Sequence, residues 1–368
     1  MNSNLMNKPQ SLYIHIPFCT HICAYCDFPK VFYNEKWADA YLECLKDELV
    51  EKNAFRPFNT VYIGGGSPSS LNVSQLETLL KMIEPMTKDA IEVTLEANPE
   101  DLDERKVCLM AKYHITRVSL GVQTFNENLL HILGRQHTKM DVIHAVECLR
   151  KYNIFNISFD FMYGLPTQTK QNVLDDLQIA MTFPIKHMSL YSLILEEHTR
   201  FYNEHINLMN EEWIIDVDDM IIEFLNMKGF NQYEVSNYAI PTYESKHNLV
   251  YWKNEPYIGV GCGASGYIGN IRYDNTRSLN AYLRHENKVR YTTLDKDDEC
   301  FEWMMMQLRL VEGLDLIAFK NYFQKTVDEV YPKQLKWMKD EGYLIEENGF
   351  LKCTKKGYRV LDELLIRL

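Results

Sequence analysis

The sequence lacks a long apolar run, a surplus of positive charge and a regular cysteine framework. In its 368 residues no stretch of about 18 apolar residues occurs, so no membrane-spanning helix is expected. The amino-terminal segment MNSNLMNKPQ has no apolar core of the kind that a secretory signal needs, and we expect a cytoplasmic protein. The net charge of −12 provides no general attraction to nucleic acid or to anionic membranes, so no nucleic-acid partner is expected.

The cysteines are few and unevenly spaced. Of the nine, Cys19, Cys23 and Cys26 fall within eight residues, while the others are scattered along the chain. An odd, uneven set in a chain without an export signal does not indicate a disulfide framework. Most of the scattered cysteines lie in helix-like or strand-like sequence, where a free thiol acts as a small apolar core side chain. These are Cys44, Cys108, Cys148, Cys300 and Cys353.

The three clustered cysteines form a C-x3-C-x2-C motif directly after a strand-like run. Three thiolates on one short loop can bind three irons of a [4Fe–4S] cluster and leave the fourth iron without a protein ligand. That iron can take the amino and carboxylate groups of S-adenosylmethionine (SAM). A structural zinc ion needs four ligands, which His15 or His21 could complete, so the spacing alone leaves zinc open. The position of the motif after a first strand favours the cluster.

The first half of the chain alternates strand-like and helix-like segments. The strand-like runs are 11–16, 60–64, 91–96, 116–122, 156–164 and 187–194. The helix-like runs are 35–53, 73–86, 101–113, 126–152 and 170–182. This spacing is typical of parallel βαβ units, which build either a doubly wound sheet or a barrel. Because polar residues follow every strand instead of one switch point, we predict an α/β fold with a partial (β/α)6 TIM-like barrel.

Small and polar residues lie at the ends of the second and third strands. Gly65, Gly66 and Ser67 follow the second strand, where glycines let the backbone turn and approach a ligand closely. No Gly-Lys-Ser/Thr follows, so a P-loop is disfavoured, and a plain turn remains the alternative. Glu96 ends the third strand, and its carboxylate could accept hydrogen bonds from ribose hydroxyls or an ammonium group. It could equally be an acid at the start of a helix.

Three further polar side chains follow the later strands. They are Gln123, Arg135 and Asp160. Arg135 can bind a carboxylate through two hydrogen bonds, although a surface position is equally compatible with the sequence. Asp160 lies within the apolar run SFDFMYG, and a buried acid needs a partner, which favours a functional role.

The segment HNLVYW places His247 next to Tyr251 and Trp252. A histidine beside two aromatic rings can serve as a haem ligand or as part of a porphyrin platform. A hydrogen-bonded core histidine is the alternative. The glycine-rich run YIGVGCGASG follows at 257–266 and indicates a close approach of the backbone to another backbone or to a ligand.

The last part of the chain has a different pattern. Helices are predicted near 298–311, 315–324 and 328–341, and short strands at YLIEENG and FLKCT. This order resembles a winged helix, and because no basic face stands out, we expect the module to pack on the barrel instead of binding DNA. The predicted domains are the barrel over 1–200, an extension over 201–290 that carries HNLVYW and the glycine-rich run, and a mainly helical, winged-helix-like module over 291–368.

Together these motifs resemble the HemW family of haem chaperones. The resemblance is carried by YIHIPFCTHICAYCDF, VYIGGGSPS, LEANPE, SLGVQTF, DFMYGLP and HNLVYW. HemW proteins are radical SAM proteins related to the oxygen-independent coproporphyrinogen III oxidases (HemN). Two departures point to the chaperone branch. Phe28 stands where the oxidase pattern has a further cysteine, and Cys19 lies too near the amino terminus for the oxidase's amino-terminal extension.

The resemblance also implies roles for individual residues. Cys19, Cys23 and Cys26 would bind the [4Fe–4S] cluster, with SAM as its exchangeable fourth ligand. Tyr13 would pack near the SAM methyl group, and the adenine region would approach Ala264 and Ser265. The other positions that match SAM-binding residues are Tyr25, Gly65, Gly66, Ser67, Glu96, Gln123, Arg135 and Asp160. The haem contacts would be His247 and Tyr251.

The implied function is haem trafficking. The chain would bind the cluster, SAM and haem, and would pass haem to an acceptor such as a respiratory haem protein. A flavodoxin or ferredoxin would be the reductant. The alternative is an oxygen-independent coproporphyrinogen III oxidase, which decarboxylates porphyrinogen propionates oxidatively with SAM. No residue is assigned a catalytic role.

Overall fold

A computed structural model describes residues 9–286 and 288–368. Residues 1–8 lie outside the described residues, and they include most of the polar segment on which the expected cytoplasmic location depends. Within the two described ranges, no helix is both long enough and apolar enough to span a membrane.

The strands form one large sheet and two small ones. They are β1 (Ser11–Ile16), β2 (Phe18–Cys19), β3 (Val31–Phe32), β4 (Thr60–Gly65), β5 (Glu92–Ala97), β6 (Arg117–Gln123), β7 (Asn156–Tyr163), β8 (His187–Ser192), β9 (Asn231–Gln232), β10 (Asn237–Ala239), β11 (Tyr257–Val260), β12 (Ser265–Ile268), β13 (Ile271–Asp274), β14 (Arg290–Thr293), β15 (Leu314–Asp315), β16 (Leu344–Glu347) and β17 (Phe350–Cys353).

The helices follow the strands in regular alternation through the first half of the chain. They are α1 (Glu35–Glu51), α2 (Val73–Thr87), α3 (Glu104–Lys112), α4 (Glu127–Leu133), α5 (Lys139–Lys151), α6 (Lys170–Ala180), α7 (Arg200–Asn203), α8 (Glu211–Met227), α9 (Lys246–Trp252), α10 (Leu279–Leu283), α11 (Lys296–Gln307), α12 (Leu316–Phe323), α13 (Val327–Val330), α14 (Pro332–Asp340), α15 (Lys355–Tyr358) and α16 (Leu361–Leu365).

The large sheet has twelve strands, and its centre is the predicted barrel. Strands β1, β4, β5, β6, β7 and β8 are parallel and lie side by side in chain order. The edge next to β1 is extended by β11, β12, β13 and β14, and the other edge by β10 and β9. Because β14 and β9 are edges that do not pair with each other among the described residues, the sheet is open. The predicted α/β partial barrel is therefore confirmed.

Two predicted helices are each divided in the structure, so the prediction of single helices was wrong. Over 126–152, Gly134 ends α4 in the left-handed conformation (φ 76°), and Thr138 begins α5 with a capping box. Over 328–341, Pro332 starts a new helix, α14, at its first position. In both cases a local capping signal marks the break, but the helical spacing of apolar residues continues across it.

The described core consists of separate apolar clusters. The largest lies between the sheet and its covering helices and includes Leu12, Ile14 and Val61, all fully buried. The carboxyl-terminal residues have their own cluster around Met304 and Leu335, beside the small sheet β15–β17–β16. The chain therefore ends in a mainly helical unit with short strands, as predicted, while the domain boundaries themselves stay a prediction.

Candidate functional site

The carboxyl ends of the parallel strands open into one cavity of about 380 Å³. A barrel collects residues that are far apart in sequence at this end, because all its parallel strands point the same way. The predicted site residues that line the cavity are Cys19, Cys23, Cys26, Tyr25, Gly65, Gly66, Ser67, Glu96, Gln123, Arg135 and Asp160. The structure therefore brings together every predicted cluster ligand and most of the predicted SAM contacts.

The loop that carries the three cysteines is tethered to the barrel. Strands β2 and β3 pair at its two ends. In its middle the Ala24 amide donates a hydrogen bond of 2.9 Å to the Leu133 carbonyl at the end of α4. Cys19 is buried, and Cys23 and Cys26 are half-buried with their side chains on the cavity. The loop is therefore held against the cavity by backbone hydrogen bonds.

Burial and the neighbouring thiols act against ionising Cys19 and Cys26. Burial raises the pKa of the Cys19 thiol to about 12, with further contributions from Cys26 and Cys23 that Arg135 and Lys30 oppose. Three adjacent thiolates need additional positive charge, which the irons of a cluster would supply, so the donor set fits a [4Fe–4S] cluster. Within the described ranges, no three His, Cys, Asp or Glu side chains lie close enough together to bind one metal ion as they stand.

The glycines at the end of β4 bring the backbone close to the cysteine loop and to Glu96. Gly65 has a φ of 113°, and a Cβ there would overlap the His15 ring. Its amide donates to Oε2 of Glu96 at 3.0 Å, and the Tyr62 hydroxyl donates to Oε1 at 2.6 Å. Burial nevertheless raises the pKa of Glu96 to about 7. A ligand ammonium or hydroxyl group would stabilise the ionised form of this carboxyl.

Arg135 lies in the break between α4 and α5 and is 7% exposed, which excludes the surface alternative. Its Nη1 donates to Asn98 Oδ1 at 2.6 Å and lies 3.9 Å from Cys23 Sγ, while Nη2 donates to the Gly121 carbonyl. Its Nε has no hydrogen-bond partner in the described part of the chain. These contacts fix the guanidinium between Cys23 of the cysteine loop and the backbone of β6 at Gly121.

Asp160 has the hydroxyl partners that a buried acid requires. The Ser119 hydroxyl lies 2.9 Å from each carboxylate oxygen, and the Ser158 hydroxyl donates to Oδ1 at 3.4 Å. Burial still raises the pKa of Asp160. Gln123 ends the neighbouring strand β6 in the left-handed conformation (φ 62°) and is 9% exposed. Both side chains face the same cavity.

Tyr13 faces a different space. It lines a neighbouring cavity of about 340 Å³ together with Tyr251, Ser265 and Phe28, and Phe28 also lines the cysteine cavity. The Tyr13 hydroxyl is hydrogen-bonded to His15 Nδ1 at 2.9 Å, and its ring lies 6.1 Å from the Tyr62 ring. Its predicted place near the SAM methyl group stays a prediction. Ala264 is fully buried beside Ser265.

His247 is fully buried, and both of its ring nitrogens have partners. Nδ1 is hydrogen-bonded to the Thr60 hydroxyl and Nε2 to the Tyr251 hydroxyl, each at 2.8 Å. Burial lowers the pKa of His247 to about 3, so the ring is neutral near pH 7. Tyr251, in contrast, lines two cavities, the second being a space of about 330 Å³ that Trp252 also lines. The haem contacts stay predictions, and Tyr251 is the member of the pair that reaches open space.

Several residues that line the cysteine cavity were not predicted. They are Asn98, Arg117, Ser119, Ser189, Tyr191 and Asn248. Every second residue of β6 lines the cavity, namely Arg117, Ser119, Gly121 and Gln123. A period of two places these side chains on one face of a strand, so this signal could have identified Arg117 and Ser119. Asn248 comes from α9, and no local pattern connects that helix to the barrel.

Comparison with known proteins first defines the class. The Radical SAM superfamily model matches residues 13–180, and the HemN C-terminal domain model matches residues 294–360. The structure resembles coproporphyrinogen III oxidase (HemN) from Escherichia coli with a TM-score of 0.85, covering 98% of this chain and 90% of that chain at 21% identity. At this identity the similarity concerns the fold. The chain is a radical SAM protein, a class that implies a [4Fe–4S] cluster and SAM.

Full-length relatives then define the family. The heme chaperone HemW of Lactococcus lactis is 40% identical over 97% of this chain and 96% of its own length. The HemW proteins of Bacillus subtilis and Escherichia coli are 36% and 33% identical, over 96% and 97% of this chain and 98% and 97% of their own lengths. The chain belongs to the HemW family. The resemblance carried by the motifs is thereby confirmed, and the chaperone branch is favoured over the oxidase.

Proposed function

We propose that this chain is a haem chaperone, which binds a [4Fe–4S] cluster, SAM and haem, and delivers haem to an acceptor haem protein. The observation that carries the proposal is that the cavity lined by the three cysteines adjoins cavities lined by Tyr251 and Trp252. Membership of the HemW family supports it. We further propose that the protein acts in the cytoplasm, that the acceptor is a respiratory haem protein, and that a flavodoxin or ferredoxin is the reductant.

Each group of side chains has a proposed part in holding the cluster and SAM. Cys19, Cys23 and Cys26 would bind three irons, and the bound cluster would supply a single electron to SAM. Glu96 would accept a hydrogen bond from an ammonium or hydroxyl group of SAM, because Tyr62 and the Gly65 amide already orient its carboxylate. The remaining proposed SAM contacts are Tyr13, Tyr25, Gly66, Ser67, Gln123, Arg135 and Asp160.

His247 and Tyr251 would act on haem as a pair. Tyr251 lines two cavities, while His247 is fully buried. We propose that Tyr251 packs against the porphyrin and that His247 holds the Tyr251 hydroxyl in place from behind. For His247 to bind the haem iron directly, Tyr251 would have to move away and break this hydrogen bond.

The experiment that tests the function is an anaerobic assay of the reconstituted protein with SAM and a reductant. One sample receives coproporphyrinogen III, and a second receives haem and then an apo b-type cytochrome. We expect no decarboxylation in the first, and stable haem binding followed by transfer to the cytochrome in the second, measured from the visible spectrum. Formation of protoporphyrinogen would instead identify the chain as an oxidase.

A variant of His247 tests the proposed haem contacts in the same assay. His247→Ala is expected to weaken haem binding, because Tyr251 loses the partner that fixes its hydroxyl, while the iron and sulfide content stays at the wild-type value. Haem affinity follows from absorbance titration and iron from chemical analysis. If affinity is unchanged, His247 has no part in the haem site.

A further inference from the structure

The cavity of about 330 Å³ beside α9 is lined by none of the proposed cluster ligands or SAM contacts. Its walls include Tyr191 at the end of β8, Tyr251 and Trp252 on α9, and Arg309 after α11. Tyr191 and Asn248 line both this cavity and the cysteine cavity, so the two spaces share a wall. A ligand here would lie next to the bound cluster and SAM without occupying their site.

The walls of this cavity combine aromatic surface with a single cation. Among the described residues that line it, Arg309 is the one basic side chain. The chain as a whole carries a net charge of −12, so an anionic ligand needs a local cation to bind. The acid in the wall, Glu234, is 1% exposed, and burial raises its pKa to about 7, which weakens its repulsion of an anion.

Arg309 is held at the edge of this cavity by its backbone. Leu310 forms a bridge with Glu234, and the Val311 amide donates to the Tyr233 carbonyl at 3.0 Å. The guanidinium donates from Nη2 to Asp362 at 2.6 Å, and the Asp362 side chain is 84% exposed. Because that carboxylate is largely solvated, a ligand carboxylate can replace it at small cost.

We propose that this cavity binds one propionate of haem through Arg309, with the porphyrin against Trp252 and Tyr251. Haem is a flat apolar ring with two carboxylates at one edge, which matches aromatic walls beside a guanidinium. This inference rests on the proposed function and adds a residue from the carboxyl-terminal unit to the haem site.

The arginine of the neighbouring cavity provides a matched comparison. Arg277 lines the cavity of about 340 Å³, but its side chain is 63% exposed, against 21% for Arg309. Its Nη2 donates to the Asp27 carbonyl at 2.7 Å. A more solvated cation contributes less to binding an anion, so Arg277→Gln is the control for Arg309→Gln.

The test compares haem with haem dimethyl ester, in which both carboxylates are neutral. The reconstituted proteins are titrated with each compound at fixed salt, and the ratio of the two affinities is measured. We expect the wild type to prefer haem by about tenfold or more, as a charge-assisted hydrogen bond would give. Arg309→Gln should abolish most of this preference, Arg309→Lys should restore part of it, and Arg277→Gln should leave it intact.

The outcomes separate this inference from the function on which it rests. Equal binding of haem and its ester by the wild type overturns the inference without any variant, as does an undiminished preference in Arg309→Gln. Iron content and circular dichroism show whether each variant is folded. If the wild type binds neither compound, the proposed haem chaperone function itself fails.

Discussion

The three proposed cluster ligands differ in their surroundings. Cys19 is 8% exposed on β2, while Cys23 and Cys26 are half-buried on the loop that follows. Each thiolate would bind a different iron, so the loss of any one leaves the cluster with only two protein ligands. Cys44 provides a matched control, because it is also 8% exposed but lies on α1, away from the cavity.

Replacing a cluster ligand should abolish reconstitution. Cys19→Ala, Cys23→Ala and Cys26→Ala are each expected to lose the iron–sulfur absorbance, because an incomplete ligand set does not retain the cluster. Cys44→Ala should keep it, with only the modest stability cost of a small core cavity. Iron and sulfide analysis measures the result. Equal iron content in all four variants would contradict the assignment.

The buried ring of His247 connects stability to pH. Its folded pKa is about 3, against 6.5 for the free side chain. Between these values the unfolded chain binds a proton that the folded chain does not, so the stabilisation is complete above pH 6.5 and declines as the pH falls. The decline is about 1.4 kcal/mol per pH unit.

A His247→Ala variant isolates this effect from the other titrating groups. At pH 7 it should be destabilised by about 2 kcal/mol or more, because Thr60 and Tyr251 lose their buried partner. At pH 5 the difference from the wild type should be about 2 kcal/mol smaller. Urea unfolding of both proteins at the two pH values measures the free energies. A difference that does not change with pH would mean that the pKa of His247 is the same in the folded and the unfolded chain.

At the scale of elements, a buried carboxylate joins α1 to the glycine-rich segment. Glu48 Oε2 accepts from the Gly261 amide at 2.8 Å and from the Tyr282 hydroxyl at 2.5 Å. Its Oε1 accepts from Asn275 at 2.7 Å and pairs with Lys52 at 2.8 Å. One side chain thus holds α1, the loop after β11 and α10 together. This loop leads to Gly263 and Ser265 in the wall of the cavity that Tyr13 also lines.

Removing this carboxylate should loosen the loop. Glu48→Ala is expected to cost about 3–5 kcal/mol, because it leaves buried donors and an unpaired lysine. Glu51→Ala, at an exposed position on the same helix, should change stability by no more than about 0.5 kcal/mol. Denaturant unfolding followed by circular dichroism measures both. Similar costs for the two variants would show that Glu48 is not essential to the packing of α1.

At the scale of the whole molecule, the carboxyl-terminal unit has an apolar cluster of its own. Its central residues include Phe319 and Leu335, both fully buried, and Trp303 and Trp337 pack against it. The largest apolar cluster, between the large sheet and its covering helices, contains none of these side chains. Two clusters in one chain allow the two regions to unfold separately. The predicted boundary of the module at residue 291 stays a prediction.

A core variant in the carboxyl-terminal unit tests whether it unfolds on its own. Leu335→Ala should destabilise that unit by about 2–5 kcal/mol through loss of apolar contact and creation of a cavity. Tryptophan fluorescence should then change at a lower denaturant concentration than the iron–sulfur absorbance. Lys333→Ala, exposed on the same helix, should leave both transitions in place. If Leu335→Ala shifts both signals together, the two clusters form one cooperative unit.

The sequence by itself determined the order of the parallel strands, the cysteine loop and the strand-end residues. These follow from local signals, because side-chain period and motif spacing depend on neighbours within a few residues. Family membership was also determined at this level, since the motifs are contiguous. The break that positions Arg135 was missed, although Gly134 and Thr138 signal it locally.

Only the tertiary structure decided which distant residues meet. It brought Asn248 of α9 to the cysteine cavity, assigned Tyr13 to the cavity beside it, and enclosed His247 between Thr60 and Tyr251. It also brought Arg309 and Trp252 to the same cavity. Such contacts depend on how the open sheet is extended by β10 and β11. The local sequence pattern does not indicate which residues, far apart in the chain, are buried together or joined by hydrogen bonds.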